Sequence, residues 1–293
     1  MRRSIREVQA YKDRGEKFAM ITAYDYPSAK LVDEAGVPLI LVGDSLGMVV
    51  LGYDSTIPVT MEDIIHHTSA VVRGAKSAIV VADMPFMSYQ VSPEEALRNA
   101  GRLMKETGAT AVKLEGGAVM APTVAKIVQA GIPVMGHVGL TPQSVNQLGG
   151  YKLQGTTPRA AVQILTDAAA LQDAGAFAVV LETIPARLGK LISQRLTIPT
   201  IGIGAGRGCD GQVQVFHDLL GLYEDFKPRH ARRYAELGVA IREATARYIE
   251  DVREGSFPGE AESFRVDPAK LKEVETLVYR GAGSSQAAQQ MAE

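Results

Sequence analysis

The sequence has no tryptophan, one cysteine and few aromatic residues, which make up 6% of its 293 residues. The single cysteine, Cys209, cannot form an intramolecular disulfide, so a reducing compartment is expected. No apolar run approaches the roughly 20 residues of a membrane-spanning helix, and the basic N-terminus lacks the apolar segment of a secretory signal. The formal net charge of −2 gives no electrostatic support for binding nucleic acid or an anionic membrane. We therefore expect a soluble cytoplasmic protein.

The chain is rich in short apolar runs, each of which ends at a polar or acidic residue or at a glycine. Runs of four to six apolar residues are typical of strands buried on both faces, as in a parallel sheet. Two further segments, Met20–Thr22 and Leu219–Tyr223, bring the number of candidate strands to eight. The other six are Leu39–Val42, Ile79–Ala82, Ala111–Leu114, Val134–Gly136, Ala178–Leu181 and Thr200–Ile203.

Helical segments separate these strands. Thr60, Ser92-Pro93 and Thr157-Pro158 are typical helix starts. Four helices are expected to end at a glycine that takes the left-handed conformation just before a strand, namely Gly36, Gly108, Gly131 and Gly175. Strands that alternate with helices pair in parallel, and eight of them favour closure. The sequence therefore predicts a (β/α)₈ TIM barrel.

Both ends of the chain extend beyond this barrel. Ser4–Arg14 is predicted to be an extra N-terminal helix that covers the barrel floor, and Ala231–Val252 and Pro268–Tyr279 are predicted C-terminal helices. We expect one barrel domain over residues 1–265, a C-terminal helix over 266–280 and a disordered tail over 281–293. The tail is expected to be disordered because it is rich in glycine, serine, alanine and glutamine.

The polar strand-end residues are the candidate active site, because the carboxyl ends of all strands in such a barrel open onto one rim. They are Asp44, Asp83, Lys113, Glu115, His137 and Glu182. Asp44, Asp83 and Glu115 offer the hard oxygen ligands that Mg²⁺ prefers. An alternative is that these carboxylates cap the helices and turns that follow the strands.

Lys113 and Glu182 suggest more specific roles. Alternation along a strand places Lys113 and Glu115 on the same side. A lysine directed into a barrel needs a carboxylate or an anionic ligand. A substrate carboxylate, a Schiff base and a structural ion pair all remain open for it. Glu182 follows an apolar strand, where loss of hydration suits a carboxylate to act as a general base. Its alternative role is to anchor the turn that follows.

His137 and the glycine-rich loop Gly202–Gly206 are harder to assign. His137 can donate a hydrogen bond to a developing oxyanion or shuttle a proton, or it can be a buried histidine satisfied by the backbone. The glycine loop follows the seventh strand, where barrels often bind phosphate. It lacks the full dinucleotide-binding spacing, so glycines that give room at a crowded rim are the better interpretation.

Several motifs occur together, in order, along most of the chain. They resemble the 3-methyl-2-oxobutanoate hydroxymethyltransferase (ketopantoate hydroxymethyltransferase) family over roughly residues 4–255. The motifs are Gly43-Asp44-Ser45-Leu46-Gly47, Ala82-Asp83-Met84-Pro85-Phe86, Val112-Lys113-Leu114-Glu115-Gly116-Gly117, Gly136-His137-Val138-Gly139-Leu140-Thr141-Pro142-Gln143, Leu181-Glu182, Ile201-Gly202-Ile203-Gly204-Ala205-Gly206, Cys209-Asp210-Gly211-Gln212 and Phe216-His217-Asp218.

The resemblance implies a TIM barrel with bound Mg²⁺ and the co-substrate 5,10-methylenetetrahydrofolate. It implies that the metal ligands are Asp44, Asp83 and Glu115, the last directly or through water, and that Glu182 is the proton acceptor. It also implies a Mg²⁺-stabilised enolate of the oxo acid and a decameric homo-oligomer. The residues that it implies for contact with the 2-oxo acid are Asp44, Ser45, Asp83 and Lys113.

Two other functions are considered. A Mg²⁺-dependent lyase or mutase of 2-oxo acids uses similar enolate chemistry, and a cysteine on an active-site loop would favour that class. Cys209 instead lies past the seventh strand beside Asp210. A non-catalytic barrel that binds the oxo acid is expected to have lost some of the rim residues, yet all are present in this sequence.

Overall fold

The computed structural model describes residues 3–226 and 228–278. Eight parallel strands form a closed barrel in sequence order, with β8 pairing to β1. The predicted (β/α)₈ fold is confirmed. The strands are β1 Phe18–Thr22, β2 Leu39–Val42, β3 Ile79–Asp83, β4 Ala111–Lys113, β5 Val134–Gly139, β6 Ala178–Glu182, β7 Thr200–Ile203 and β8 Gly211–Gln214.

The helices alternate with the strands, and three of them begin where the sequence predicts: Thr60, Ser92 and Thr157 cap α4, α5 and α8 with their side chains. The helices are α1 Ile5–Asp13, α2 Tyr26–Glu34, α3 Leu46–Val49, α4 Met61–Gly74, α5 Pro93–Arg102, α6 Ala121–Gln129, α7 Val145–Leu148, α8 Pro158–Asp173, α9 Ala186–Arg195, α10 Phe216–Leu220 and α11 Leu237–Glu254. A π-helix at Leu103–Thr107 and 3₁₀ turns at Ala118–Met120 and Pro142–Ser144 complete them.

The predicted eighth strand, Leu219–Tyr223, is wrong. Part of that segment belongs to the short helix α10, and Gly221 (φ 66°) ends the helix in the left-handed conformation. The true β8, Gly211–Gln214, alternates between buried and more exposed residues. Its sequence therefore contains no continuous apolar run. Apolar continuity alone therefore could not identify it. Its parallel pairing with β1 and β7 closes the barrel.

Alternation along the strands creates two apolar layers. One lies between the strands and the surrounding helices and includes Ile40, Val80 and Val112. The other fills the barrel interior and includes Leu39, Leu41, Ile79, Val81, Ala111, Met135 and Val180. In β3, β4, β5 and β6 the next inward position is polar, at Asp83, Lys113, His137 and Glu182. The fold therefore places a polar layer directly above an apolar interior.

Helix α1 closes the amino-terminal end of the barrel, as predicted. Ser4 is its N-cap and forms a capping box with Glu7. Val8 is buried in the same apolar cluster as Phe18 and Met20. Lys12 forms an ion pair with Asp210, at 2.8 Å between Nζ and Oδ2. This end of the barrel is therefore sealed by apolar packing and an ion pair.

The chain divides into two compact units, Met1–Leu237 and Gly238–Glu293. Residues 238–265, which the sequence assigns to the barrel domain, group with the second unit. That unit contains nearly all of α11, which begins six residues later than predicted, and a helix over residues 268–278. The predicted disordered tail, 281–293, lies outside the described residues. Within the described part of the chain, no helix is long and apolar enough to cross a membrane.

Candidate active site

A cavity of about 510 Å³ opens at the carboxyl ends of the strands. Its lining includes every residue that the sequence predicts for the site: Asp44, Ser45, Asp83, Lys113, Glu115, His137 and Glu182. These residues come from β2 to β6 or from the loops directly after them. The barrel geometry brings together positions that are up to 138 residues apart in sequence (182 − 44).

Lys113 and Asp83, which both line this cavity, form a buried ion pair. The ammonium nitrogen of Lys113 donates to both carboxylate oxygens of Asp83, at 2.8 Å each. The two side chains are 5% and 1% exposed, so solvent screens the pair very little. The backbone N–H of Asp44 donates to Oδ2 of Asp83 at 3.3 Å, which places the two aspartates side by side.

His137 lies between two glutamates. Its Nδ1 is 3.3 Å from Oε1 of Glu115, and its Nε2 is 3.2 Å from Oε2 of Glu182. Neither ring nitrogen has a well-aligned hydrogen-bond partner among the described residues, so these are close charge contacts rather than aligned hydrogen bonds. His137 is part of β5, which continues to Gly139, whereas the sequence predicts that the strand ends before it.

Glu182 ends β6 and is more exposed than His137 and Glu115, at 14% of its side chain against 2% and 3%. The next residue, Thr183, has φ 48°, a conformation that β-branched residues rarely adopt. Its backbone is held by two hydrogen bonds, from Thr183 N–H to the Ile203 carbonyl and from Gln154 N–H to the Thr183 carbonyl. Strained backbone of this kind is frequent at functional sites, and here it directly follows the candidate base.

The charged groups in the cavity shift one another's pKa values. Burial raises the pKa of Asp44 far above its usual range, and the neighbouring charges of Asp83 and Glu115 add to this. Burial also raises the pKa of Asp83, although Lys113 opposes the effect. For Lys113, burial opposes the charge, but the surrounding carboxylates outweigh it and raise its pKa. Lys113 therefore stays an ammonium ion.

The contact between Glu115 and His137 favours the charged form of both side chains. Burial opposes the charge of Glu115, but the contact with His137 and the charge of Lys113 lower its pKa. Burial and Lys113 also oppose a charge on His137, yet Glu115 and Glu182 outweigh them and raise its pKa to about 9. His137 is therefore an imidazolium ion at neutral pH.

The donor set suits a hard divalent cation. No three His, Cys, Asp or Glu side chains in residues 3–226 and 228–278 are arranged to hold a metal by themselves. Mg²⁺, however, is usually held by one or two carboxylates together with water and substrate oxygens. The adjoining Asp44 and Asp83 fit this pattern, and Oε1 of Glu115 is a buried oxygen that has no hydrogen-bond partner among the described residues. The ligand set Asp44, Asp83 and Glu115 stays a prediction.

Tyr24, Tyr89 and Gln143 are buried side chains that hydrogen-bond to site residues, although the sequence analysis does not select them. The hydroxyl groups of Tyr24 and Ser45 are 2.8 Å apart. Gln143 donates from Nε2 to Oδ2 of Asp44 at 2.8 Å, and the Tyr89 hydroxyl donates to Oε1 of Gln143 at 2.6 Å. Tyr24 could have been predicted, because it follows the strand β1. Gln143 is the last residue of the motif that begins at Gly136, but its role depends on a loop conformation that no sequence pattern predicts.

The glycine-rich loop gives room at the rim, as interpreted from the sequence. A Cβ at Gly206 would lie 2.4 Å from the Cβ of Ala186, and one at Gly204 would lie 3.3 Å from Thr183 Oγ1. Cys209 is buried and does not belong to the cavity lining. A cysteine at the site would favour a lyase or mutase, and Cys209 does not occupy such a position.

The cavity lining also includes apolar and aromatic side chains. Among them are Met48, Tyr151, Tyr223 and Phe226, and Arg229 and His230 line the same cavity. Tyr151 and Phe226 are 48% and 60% exposed. Aromatic residues at the entrance to a polar site provide a surface for a flat ring system.

Taken together, the fold and this polar rim define a (β/α)₈-barrel enzyme with its active site at the carboxyl ends of the strands. The family model described as ketopantoate hydroxymethyltransferase matches residues 2–260. The chain belongs to this family and is a transferase.

Curated relatives agree with the family. A 3-methyl-2-oxobutanoate hydroxymethyltransferase of Chloroflexus aurantiacus is 62% identical over 271 residues, which cover 92% of this chain and 96% of the relative. The enzyme of the same name from Dehalococcoides mccartyi (strain ATCC BAA-2266 / KCTC 15142 / 195) is 58% identical over 278 residues, covering 95% and 99%. The high identity extends over nearly the whole of both relatives.

Solved structures of more distant proteins share the fold. Phosphonopyruvate hydrolase matches with a TM-score of 0.60 and 14% identity, over 97% of this chain and 99% of that one. A 2,3-dimethylmalate lyase of the PEP mutase/isocitrate lyase superfamily matches with a TM-score of 0.56 and 18% identity, over 98% and 99%. At this identity the likeness supports the barrel architecture and nothing more.

Proposed function

We propose that the protein transfers a hydroxymethyl group from 5,10-methylenetetrahydrofolate to 3-methyl-2-oxobutanoate, giving ketopantoate for pantothenate and coenzyme A biosynthesis. One observation carries this proposal: an aspartate pair, a buried lysine and a partly exposed glutamate line the same cavity. These are the groups needed to hold a metal, to neutralise a substrate carboxylate and to remove a proton. Membership of the family supports hydroxymethyl transfer, and the name of the relatives supports 3-methyl-2-oxobutanoate as its acceptor. The folate donor is what the resemblance of the motifs implies.

The base of the cavity is suited to an anionic oxo acid. Lys113 is the cation that would offset the charge of the substrate carboxylate, and the Ser45 hydroxyl, paired with Tyr24, would contact the oxo acid. Asp44 and Asp83 would hold Mg²⁺, with Glu115 beside them. When bound, Mg²⁺ would supply Lewis-acid chemistry that draws electron density from the oxo group and makes the C3–H bond more acidic.

Glu182 is proposed as the general base. Its carboxylate would take the proton from C3, and C3 would form its new bond to the one-carbon unit of the folate. Both bonds from that carbon to the folate nitrogens would break, and water would supply the oxygen of the new hydroxyl group. Tetrahydrofolate would leave, its two nitrogens taking up the proton from C3 and one proton from water. His137 would keep the Glu182 carboxylate in place, since its Nε2 is 3.2 Å from Oε2. General-base catalysis of this kind contributes about 10²- to 10⁴-fold to a rate.

The mouth of the cavity is proposed to receive the folate. Tyr151, Tyr223 and Phe226 provide apolar surface on which a flat pterin ring could stack. The one-carbon donor would then lie above the oxo acid, on the open side of the site.

The decameric assembly, which the resemblance implies, and the cytoplasmic location, which the composition indicates, stay predictions.

A turnover assay with varied metal tests the proposal. Purified protein is treated with EDTA, dialysed and incubated with both substrates, and ketopantoate is measured by mass spectrometry. We expect no product without metal and full recovery when Mg²⁺ is added. Full activity in metal-free protein would overturn the metal assignment, and absence of ketopantoate under all conditions would overturn the proposed reaction.

The same samples distinguish the two other functions. Cleavage or rearrangement of a 2-oxo acid without folate would indicate a lyase or mutase. Calorimetric binding of 3-methyl-2-oxobutanoate without any turnover would indicate a non-catalytic binding protein.

A further inference from the structure

Gln143 is a buried polar residue that the proposed reaction does not use. It lies in the 3₁₀ turn Pro142–Ser144, after β5, and is 3% exposed. It is not part of the cavity lining, so direct contact with substrate is not its role. A buried amide is costly unless all of its polar atoms are paired. The hydrogen-bond partners of Gln143 therefore indicate its role.

The orientation of the Gln143 amide is fixed by its neighbours. The Met84 carbonyl can only accept a hydrogen bond, so the group 3.0 Å from it must be the Nε2 of Gln143. The second proton of Nε2 is donated to Oδ2 of Asp44, at 2.8 Å. On the other side, the Tyr89 hydroxyl donates to Oε1 at 2.6 Å. Each polar atom of the amide thus has a defined partner.

The backbone of the same turn reaches a second carboxylate. The N–H of Gln143 donates to Oε2 of Glu115 at 3.0 Å. The N–H of Glu115 in turn donates to the Tyr89 hydroxyl at 3.1 Å. The result is a ring of hydrogen bonds that joins Asp44 to Glu115 through Gln143 and Tyr89. It connects the ends of β2 and β4 through a turn that follows β5.

We propose that Gln143, oriented by Tyr89, is a positioning residue that fixes Asp44 and Glu115 relative to each other and thereby sets the affinity of the site for a divalent cation. This inference rests on the metal site of the proposed function. Without donors that hold them, neighbouring carboxylates repel each other and rotate apart. Partners that orient a metal ligand in this way commonly change metal affinity by about 10- to 100-fold when they are removed.

Calorimetric titration of metal-free protein with Mg²⁺ tests this role. Gln143→Met keeps the length of the side chain but removes its hydrogen bonds, and Tyr89→Phe removes only the hydroxyl group. We expect the Mg²⁺ dissociation constant to rise about 10- to 100-fold in Gln143→Met and about tenfold in Tyr89→Phe. The matched control is Gln163→Met, since Gln163 is an exposed helix residue whose amide bonds to Asp167.

The kinetic result should follow the binding result. In both variants we expect kcat to recover at high Mg²⁺, while the Mg²⁺ concentration for half-maximal rate increases. A merely structural role would instead lower the unfolding temperature and leave the dissociation constant within about twofold of wild type. That outcome would overturn the inference.

Two controls keep the result interpretable. Circular dichroism establishes whether Gln143→Met folds, and if it does not, Tyr89→Phe decides, with an unchanged dissociation constant overturning the inference. If wild-type protein itself binds no Mg²⁺ and needs none for turnover, the metal part of the proposed function fails, and the inference fails with it. Wild-type binding with unaltered variants contradicts the inference alone.

Discussion

His137 Nε2 lies 3.2 Å from Oε2 of Glu182, and the histidine is almost completely buried while the glutamate keeps 14% of its side chain exposed. The more deeply buried partner therefore holds the one that can reach a substrate. Contacts with Glu115 and Glu182 raise the pKa of His137 to about 9, against the opposing effects of burial and Lys113. At neutral pH the histidine is a fixed positive charge beside the candidate base.

Glu182→Gln should abolish proton removal and leave binding largely intact. The amide has nearly the same shape but cannot accept the C3 proton, so exchange of that proton should fall by about 10²- to 10⁴-fold. The measurement is hydrogen–deuterium exchange at C3 of 3-methyl-2-oxobutanoate in D₂O, followed by proton NMR without folate. Calorimetry measures whether the oxo acid still binds.

Glu106→Gln is the matched control for that experiment. Glu106 is paired with Arg102 on the surface, at 2.9 Å between Oε1 and Nε, and does not line the cavity. Its substitution should leave the exchange rate unchanged. If Glu182→Gln exchanges the C3 proton as fast as wild type, the base must be another residue.

The sequence predicts much of this structure because its signals are local. Continuous apolar strands and glycines after helices identify seven strands, and the rule that strand ends share one rim brings Asp44 and Glu182 together. The eighth strand could not be predicted in this way, since Gly211–Gln214 gains its strand conformation from pairing with β1 and β7. Tertiary pairing, rather than local apolar content, decides that segment.

Site residues differ in how clearly the sequence alone indicates them. Burying a carboxylate or a lysine at a strand end costs free energy unless the charge has a partner or a function. The sequence alone therefore indicates these residues. Gln143 and Tyr89 are uncharged and lie outside the strands, in a 3₁₀ turn and in the loop after β3. Their function comes from hydrogen bonds across long sequence separations, such as the 99 residues between Gln143 and Asp44. Such contacts exist only once the barrel has closed.

Lys113→Met should destabilise the protein as well as inactivate it. The substitution leaves Asp83 buried without its cation, and breaking a buried ion pair from one side costs about 3–5 kcal/mol. The measurement is the free energy of unfolding from urea titration in metal-free buffer. As a control, Arg102→Met removes exposed ion pairs with Glu62 and Glu106, and should cost no more than about 1 kcal/mol.

A second substitution separates the charge effect from lost packing. In Lys113→Met with Asp83→Asn, the unpaired charge is removed, so part of the lost stability should return while activity stays absent. Strictly additive effects of the two substitutions would show that the pair is not coupled, which would contradict the ion-pair interpretation.

Gly139→Ala should damage both stability and activity, because Gly139 has φ 97° and packs against the candidate base. An added Cβ would lie 2.3 Å from the backbone oxygen of Glu182 and 2.9 Å from Ile184 Cγ2. Gly131→Ala is the matched control, since Gly131 has φ 87° but has open space around its Cα. Both variants carry the left-handed backbone cost of about 1–2 kcal/mol, and only Gly139→Ala adds overpacking of about 1–3 kcal/mol.

The activities of these two glycine variants should also differ. A displacement of Glu182 by about 1 Å can lower a rate by about 10²-fold, so Gly139→Ala should form ketopantoate far more slowly than Gly131→Ala. The measurements are urea unfolding and the ketopantoate assay at saturating Mg²⁺. Equal losses in the two variants would mean that only backbone strain matters at Gly139, and that its contact with the Glu182 carbonyl does not position the base.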